Sequence, residues 1–329
     1  MDPERLKRIA YALHPFLYKG GFGAVETDKI EERIGRIRMG LVPEQEFRAI
    51  ATWLGNCIGI YGLDQTPMPV VTGAVLEKLE VPDFLAFVKY EGKILPVLIE
   101  VKSSEEKKLV WPEKYLTSLN KFAELLGLPL LVAWKWKIGW TLVDVAHFER
   151  KVTAYHLTIE KALEENLMAL LMNEALYLLE EDVAFVWEAE ILDCPVRQDE
   201  LIPPGEHQFL FKGAFFSQGE KRLDEIPNGF AGLFFTCTDE NEVRKVGGNV
   251  IQVICKPRSQ TTPSLTSVLL GDMYLRSEGG DIDWDKELLV GTLPESGTYY
   301  RKVLDDGIKQ GLVRYVMNQV PKTMPAFLK

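Results

Sequence analysis

Two apolar runs, Val81–Tyr90 and Ile94–Lys102, flank the dipeptide Glu91-Gly92. That spacing predicts a β-hairpin with a two-residue turn. Paired residue numbers then sum to 183, so Tyr90 faces Lys93 and, at the far end, Asp83 faces Glu100. Pro96 interrupts the second run, and a bulge there would shift the register by one. Pro112 then opens a helical pattern with Leu116, Leu119, Ala123 and Leu126 on one face, and Gly127 closes it. Leu128–Trp136 reads as a buried strand, and Lys137-Ile138-Gly139 turns the chain into Trp140–Val145. A strand–helix–strand unit from Lys102 to Leu130 requires two parallel strands joined by a right-handed crossover. The expectation is an α/β domain with a mixed sheet flanked by helices.

The chain has 329 residues, which at roughly 150 per domain suggests two domains. The first is expected over 1–150 and a separate α+β unit over 151–329. Hydrophobic residues make up 47% and charged residues 26%, which excludes a disordered chain or a fibre. The longest apolar runs are far too short for a membrane helix. The opening Met1-Asp2-Pro3-Glu4 lacks a cationic flank before an apolar stretch, so a cytoplasmic location is expected. Cys57, Cys194, Cys237 and Cys255 show no zinc-site or redox spacing, and His14, His147, His156 and His207 form no paired metal motif. A zinc enzyme is therefore not expected. Residues 1–150 carry 20 basic and 20 acidic side chains, whereas residues 151–329 carry 18 and 28. Neither half is basic, so contact with nucleic acid requires a local patch or a bound metal.

Further helices are expected over Pro3–Leu17, through Ile30–Ile37, from Pro43, over Thr158–Leu179 and over Asp305–Val320. Short strands are expected near Ala184–Ile191, Phe209–Phe216, Gly232–Thr236 and Val250–Cys255. Gly20-Gly21-Phe22-Gly23 lacks the lysine of a phosphate loop. The alternating Asp281, Asp283 and Asp285 lack the glycine of a calcium loop. Trp111, Trp134, Trp136 and Trp140 are read as packing residues rather than a base-stacking platform.

The chemistry concentrates at the open end of the hairpin. Period-2 alternation puts Lys102 on the face of Glu100, so one face carries Asp83, Glu100 and Lys102. Like charges directly opposite are destabilising, and two acids beside a core call for a cation. Mg²⁺ suits them, since it takes one or two carboxylates and completes its shell with water and substrate oxygens. The competing reading is a surface ion pair of little energetic weight.

Val81-Pro82-Asp83, followed after 17 positions by Glu100-Val101-Lys102, resembles the PD-(D/E)xK nuclease superfamily. Over roughly 40–150 the pattern is most similar to archaeal Holliday-junction resolvases and other restriction-endonuclease-like proteins. Pro43-Glu44-Gln45-Glu46-Phe47 resembles their acidic first helix, and Leu98-Ile99-Glu100-Val101-Lys102 their metal-binding strand. The resemblance implies a restriction-endonuclease-like fold and a DNA endonuclease. In it, Asp83, Glu100 and the Val101 carbonyl would hold Mg²⁺ or Mn²⁺, and Lys102 would assist the attacking water. It further implies a 5′-phosphate product, double-stranded or branched DNA as substrate, and a homodimer. A helix acid would complete the site. Glu44 and Glu46 both border the apolar stripe of their helix, and Glu44 fits the family pattern better. Lys114, with Ser118 and Lys121, lies on the polar stripe of the following helix and is a candidate substrate contact; an ordinary solvated face is the alternative. The acidic second half departs from small resolvases, so a non-catalytic binding or regulatory protein on this scaffold, or an RNA-directed nuclease, stays open.

Overall fold

A computed structural model describes residues 43–65, 68–72, 75–137, 139–197, 202–257, 262–276, 282, 284, 287, 293 and 295–329. The expected helices over 3–17 and 30–37, the glycine run at 20–23 and Asp281, Asp283 and Asp285 lie outside these residues. The chain divides into two compact units. Unit 1 comprises residues up to Asn173 with Asp283–Thr292 and Gln319–Lys329; unit 2 comprises Glu174–Ile282 and Leu293–Asn318.

Unit 1 begins its described part with helix α1 (43–54), whose Phe47, Ile50, Ala51 and Leu54 are fully buried. Strand β1 (Cys57–Gly62) follows, then the hairpin β2 (Met68–Thr72) and β3 (Val75–Leu79). Strands β4 (Phe84–Tyr90) and β5 (Lys93–Ser103) pair from Tyr90↔Lys93 to Phe84↔Ile99, the expected register. Glu91 and Gly92 both have positive φ, 47° and 77°, the requirement of the turn whose twist matches a hairpin. Pro96 pairs with Phe87 without a shift. It is tolerated because the other neighbour of β5 begins pairing only at Leu98.

Strand β6 (Lys108–Pro112) leads into α2 (Glu113–Leu126), which Gly127 ends in the left-handed conformation. The chain returns as β7 (Leu130–Trp136), parallel to β5, and turns back as β8 (Gly139–Asp144). The sheet order is β1-β4-β5-β7-β8. β5 lies at its centre, which explains why Val97–Val101 is buried without alternation. Leu116, Leu119, Phe122 and Ala123 of α2 pack with Leu98, Leu130, Val132 and Trp134 in one core.

The boundary falls after Asn173 rather than at 150. Strand β10 (Ala154–Thr158) pairs with β6, and with β9 (Glu149–Lys151) it closes a three-stranded sheet inside unit 1. The tail also belongs there: the buried Glu165 carboxylate accepts from the Thr323 backbone N–H at 2.7 Å. The long helix expected over Thr158–Leu179 is replaced by a short α3 (Ile159–Glu164), a turn at Met168–Met172 and strand β11 (Leu176–Leu179). Asn166 breaks it, because its Oδ1 accepts from Leu142 N and Met168 N and so competes with the helical ladder.

Unit 2 is built on the antiparallel sheet β14-β13-β12-β16-β15, formed by β12 (Val183–Ile191), β13 (Phe209–Gln218), β14 (Lys221–Arg222), β15 (Thr238–Gly247) and β16 (Val250–Pro257). Gly232–Thr236, expected as a strand, belongs to helix α4 (Phe230–Phe235), which buries Phe230, Leu233 and Phe234. A short apolar run has the same composition in either state, so packing decides. After α5 (Leu265–Arg276), the last helix, α6 (Gly297–Lys309), lies earlier than expected. Ser296 caps it, Gly311 at φ 70° ends the turn after it, and β17 (Val313–Met317) pairs with β11.

Candidate active site

The central strand positions the first acid. β5 enters the sheet as an apolar run, so Glu100 lies in a buried stretch and retains 2% exposure. Its Oε1 accepts from the Tyr115 hydroxyl at 2.5 Å and from Lys102 Nζ. Its Oε2 is buried and has no hydrogen-bond partner among the described residues. An unpaired buried carboxylate oxygen is costly, and such a group calls for an explanation.

The turn before β4 positions the second. Backbone pairing stops at Phe84↔Ile99, so Asp83 lies one step beyond the ladder. Its backbone carbonyl accepts from Leu63 N at 2.9 Å, which ties the turn to the end of β1. Its Oδ2 accepts from the Val101 N–H at 2.7 Å. The carboxylate thus takes the place of a strand carbonyl and remains 5% exposed. Burial, then the charges of Glu100 and Glu44, hold the Asp83 carboxyl well above the usual range; Lys102 and the Val101 N–H oppose them. Three of the expected residues, Asp83, Glu100 and Lys102, therefore act on one another, and the charge of a fourth, Glu44, acts on Asp83. Val101 contributes its buried N–H to Asp83.

Lys102 turns to the same cluster from the end of β5. Burial disfavours its ammonium, but Glu100 and Asp83 together outweigh that penalty and raise its pKa. The amine is therefore a fixed cation and a donor, not a free base. Its Nζ lies 5.8 Å from the Trp111 ring centre and 5.5 Å from that of Tyr115.

The helix acids separate. Residues two apart on a helix point to nearly opposite sides. Glu46 is buried, and its oxygens accept from Lys135 Nζ at 2.5 Å and Trp140 Nε1 at 2.9 Å. Glu44 is half-buried, and its charge reaches Asp83. Lys114 is exposed on α2, whereas its neighbour Tyr115 reaches Glu100. Sequence reasoning missed this tyrosine. The signal was present: Tyr115, Leu119 and Phe122 recur at helical spacing, so Tyr115 heads the buried stripe near the end of β5. Burial and the Glu100 charge both raise its phenol pKa, so it remains a donor. Trp111, Trp134 and Trp140 are buried, as the packing reading expects.

The donor set fits a hard divalent ion. The charges of Glu100 and Glu44 both reach the Asp83 carboxylate in this cluster, and among the described residues Oε2 of Glu100 has no hydrogen-bond partner. Oxygen donors of this kind select Mg²⁺ or Mn²⁺ over softer metals.

Residues 67–176 match the family model described as archaeal Holliday junction resolvase (hjc). A structure of Archaeoglobus fulgidus Hjc, a Holliday junction resolvase from an archaeal hyperthermophile, is similar at 20% identity. It covers 37% of this chain and 85% of that chain, with a TM-score of 0.29. No curated protein matches the chain. The resemblance read from the hairpin motif holds for this nuclease-like segment, which contains Asp83, Glu100, Lys102 and Tyr115 and ends close to the boundary of unit 1.

Proposed function

We propose that unit 1 is a divalent-metal-dependent nuclease that hydrolyses phosphodiester bonds in DNA, with branched or double-stranded DNA as substrate. The observation that carries this reading is the buried Glu100 carboxylate near Asp83, with one oxygen satisfied by Lys102 and Tyr115 and the other without a hydrogen-bond partner among the described residues. Asp83, Glu100 and Glu44 would hold the ion, with the Val101 carbonyl a further candidate. Once bound, Mg²⁺ or Mn²⁺ supplies Lewis-acid polarisation of a phosphoryl oxygen and activation of water.

The chain's own groups do the rest. Lys102, kept cationic by Glu100 and Asp83, donates to the attacking water or to a phosphate oxygen and offsets charge that develops there. Tyr115 fixes the Glu100 carboxylate plane through its hydroxyl. The Val101 N–H orients Asp83 in the same way. Lys114, exposed on α2, would meet the DNA backbone. Cutting both strands requires two such sites, which favours a homodimer.

The test is cleavage of four-way-junction, linear duplex, single-stranded DNA and RNA by the full chain with Mg²⁺ or Mn²⁺. Junction or duplex cleavage that disappears in D83N, E100Q and K102A, with unchanged circular dichroism, supports the reading. Retained cleavage in any of these variants overturns the assigned roles. Metal binding without cleavage would favour the non-catalytic alternative, and cleavage of RNA alone would redirect the substrate.

A further inference from the structure

Unit 2 brings together side chains whose spacing in sequence suggests nothing. Asp193 and Cys194 follow β12, and His207 precedes β13, at the two ends of the connecting loop. His207 Nδ1 lies 3.1 Å from Asp193 Oδ2 and 3.6 Å from Cys194 Sγ. His207 Nε2 lies 2.7 Å from the Pro203 carbonyl oxygen. A carbonyl only accepts, so Nε2 carries the hydrogen. The Asp193 carboxylate also only accepts, so without an ion Nδ1 carries a hydrogen too, and the Pro203 carbonyl and Asp193 both raise the His207 pKa. A metal ion would take the place of that Nδ1 proton, between the carboxylate and the thiol.

This arrangement is not a catalytic relay. In a nucleophile–histidine–acid relay the acid orients one ring nitrogen and the other serves the nucleophile. Here the acid and the thiol converge on the same nitrogen, and a backbone carbonyl holds the other. That is the pattern of a metal-binding imidazole, whose far N–H is fixed by a carbonyl or carboxylate. The two distances from Nδ1 agree. Zinc bonds of about 2.3 Å to sulfur and 2.0–2.2 Å to nitrogen or oxygen, at tetrahedral angles, put S and N about 3.5 Å apart and N and O about 3.3 Å apart. The three donor atoms all lie within 4.8 Å of one another.

The described ends of the connection are already held in place. Leu192 N donates to Gln208 O at 2.9 Å across its base. Asn249 Nδ2 donates to the carbonyls of Ile191 and Cys194, and Asn249 Oδ1 accepts from Val196 N. Cys194 packs with Trp187 and Ile202 against buried Ala189, Ile191, Val196 and Ile251. Cys194 and His207 are half-buried and Asp193 is exposed, which leaves solvent access on one side.

We propose that Asp193, Cys194 and His207 bind a zinc-class divalent transition-metal ion that links the two described ends of the connection between β12 and β13, with a fourth position open to water or a ligand. A thiolate–imidazole–carboxylate set selects Zn²⁺ or Co²⁺ over Mg²⁺, so the site stands apart from the carboxylate cluster of unit 1 and does not rest on the nuclease reading.

The test uses the full chain, stripped with a chelator and titrated with Co²⁺ and then Zn²⁺. One equivalent of Co²⁺ should produce a thiolate-to-cobalt charge-transfer band, and Zn²⁺ should displace it. C194A should abolish the band, and H207A and D193N should each weaken Zn²⁺ affinity by about tenfold or more. The D83N/E100Q double variant should keep the band, which separates this site from unit 1. Circular dichroism of C194S and C194A checks that the fold persists. Absence of a thiolate band in the folded wild-type chain overturns the proposal. So does a band that survives H207A, or metal uptake lost only in D83N/E100Q. A His207 ring that titrates identically with and without Zn²⁺ would show an imidazolium–carboxylate pair instead, and would likewise overturn it.

Discussion

Glu46 and Glu100 are both buried acids of unit 1, yet the structure treats them in opposite ways. Glu46, on α1, has a cation on one oxygen and an indole N–H on the other. Glu100, at the centre of the sheet, has a cation and a phenol on the same oxygen and, among the described residues, no hydrogen-bond partner on the second. The first is a closed structural contact that ties a helix to β7 and β8. The second is left with unused binding capacity beside two more acids. Burial of a carboxylate alone does not distinguish a structural role from a chemical one; the accounting of its oxygens does.

The comparison breaks most decisively in activity. E100Q and D83N should lower metal-dependent cleavage by about 10³-fold or more, since each removes an oxygen charge that the ion requires. E46Q should leave the cleavage rate of the folded fraction near wild type. A junction-cleavage assay on matched folded protein checks both, and equal losses in E46Q and E100Q would erase the distinction.

In stability the order should reverse. E46A leaves the Lys135 ammonium and the Trp140 N–H without their partner, and should cost about 3 kcal/mol, the low end for a broken buried pair because Lys135 keeps some exposure. E100Q removes one member of a crowded acid cluster and should cost less than E46A. Urea denaturation of the two variants, compared through their midpoints, tests the ordering.

Two smaller effects sharpen the picture. Y115F removes one hydrogen bond to a charged group, so it should cost roughly 1.5 kcal/mol in folding or, if that bond matters in the transition state, about tenfold in cleavage rate. A denaturation curve and a single-turnover rate, taken together, divide the loss between them. K114A should leave cleavage at low salt unchanged and reduce the slope of log affinity against log salt by about 0.9 for a duplex, one phosphate contact's share. An unchanged slope would assign Lys114 to plain solvation.

Much of unit 1 was legible because its signals are local. Glu91-Gly92 dictates a tight turn, the turn dictates the register, and the register brings position 83 to the end of the strand that carries Glu100 and Lys102. Pro112 and Gly127 bracket α2, and the crossover rule makes β7 parallel to β5. Where a side chain competes with the backbone, the pattern misled. Asn166 ends a helix that its apolar periodicity would continue, and α4 forms where composition suited a strand equally well.

Sequence by itself determined the turn, the strand order around it and the short list of acids, since hairpin pairing and side-chain alternation are set within a few residues. Tertiary packing alone decided which oxygens are satisfied. Helical spacing put Tyr115 on the buried face of α2, but packing set its hydroxyl on one oxygen of Glu100, let Lys135 and Trp140 occupy Glu46, and brought His207 to Asp193 and Cys194. Those outcomes depend on the azimuth of a helix against a sheet and on loop closure, and neither is encoded in any spacing along the chain.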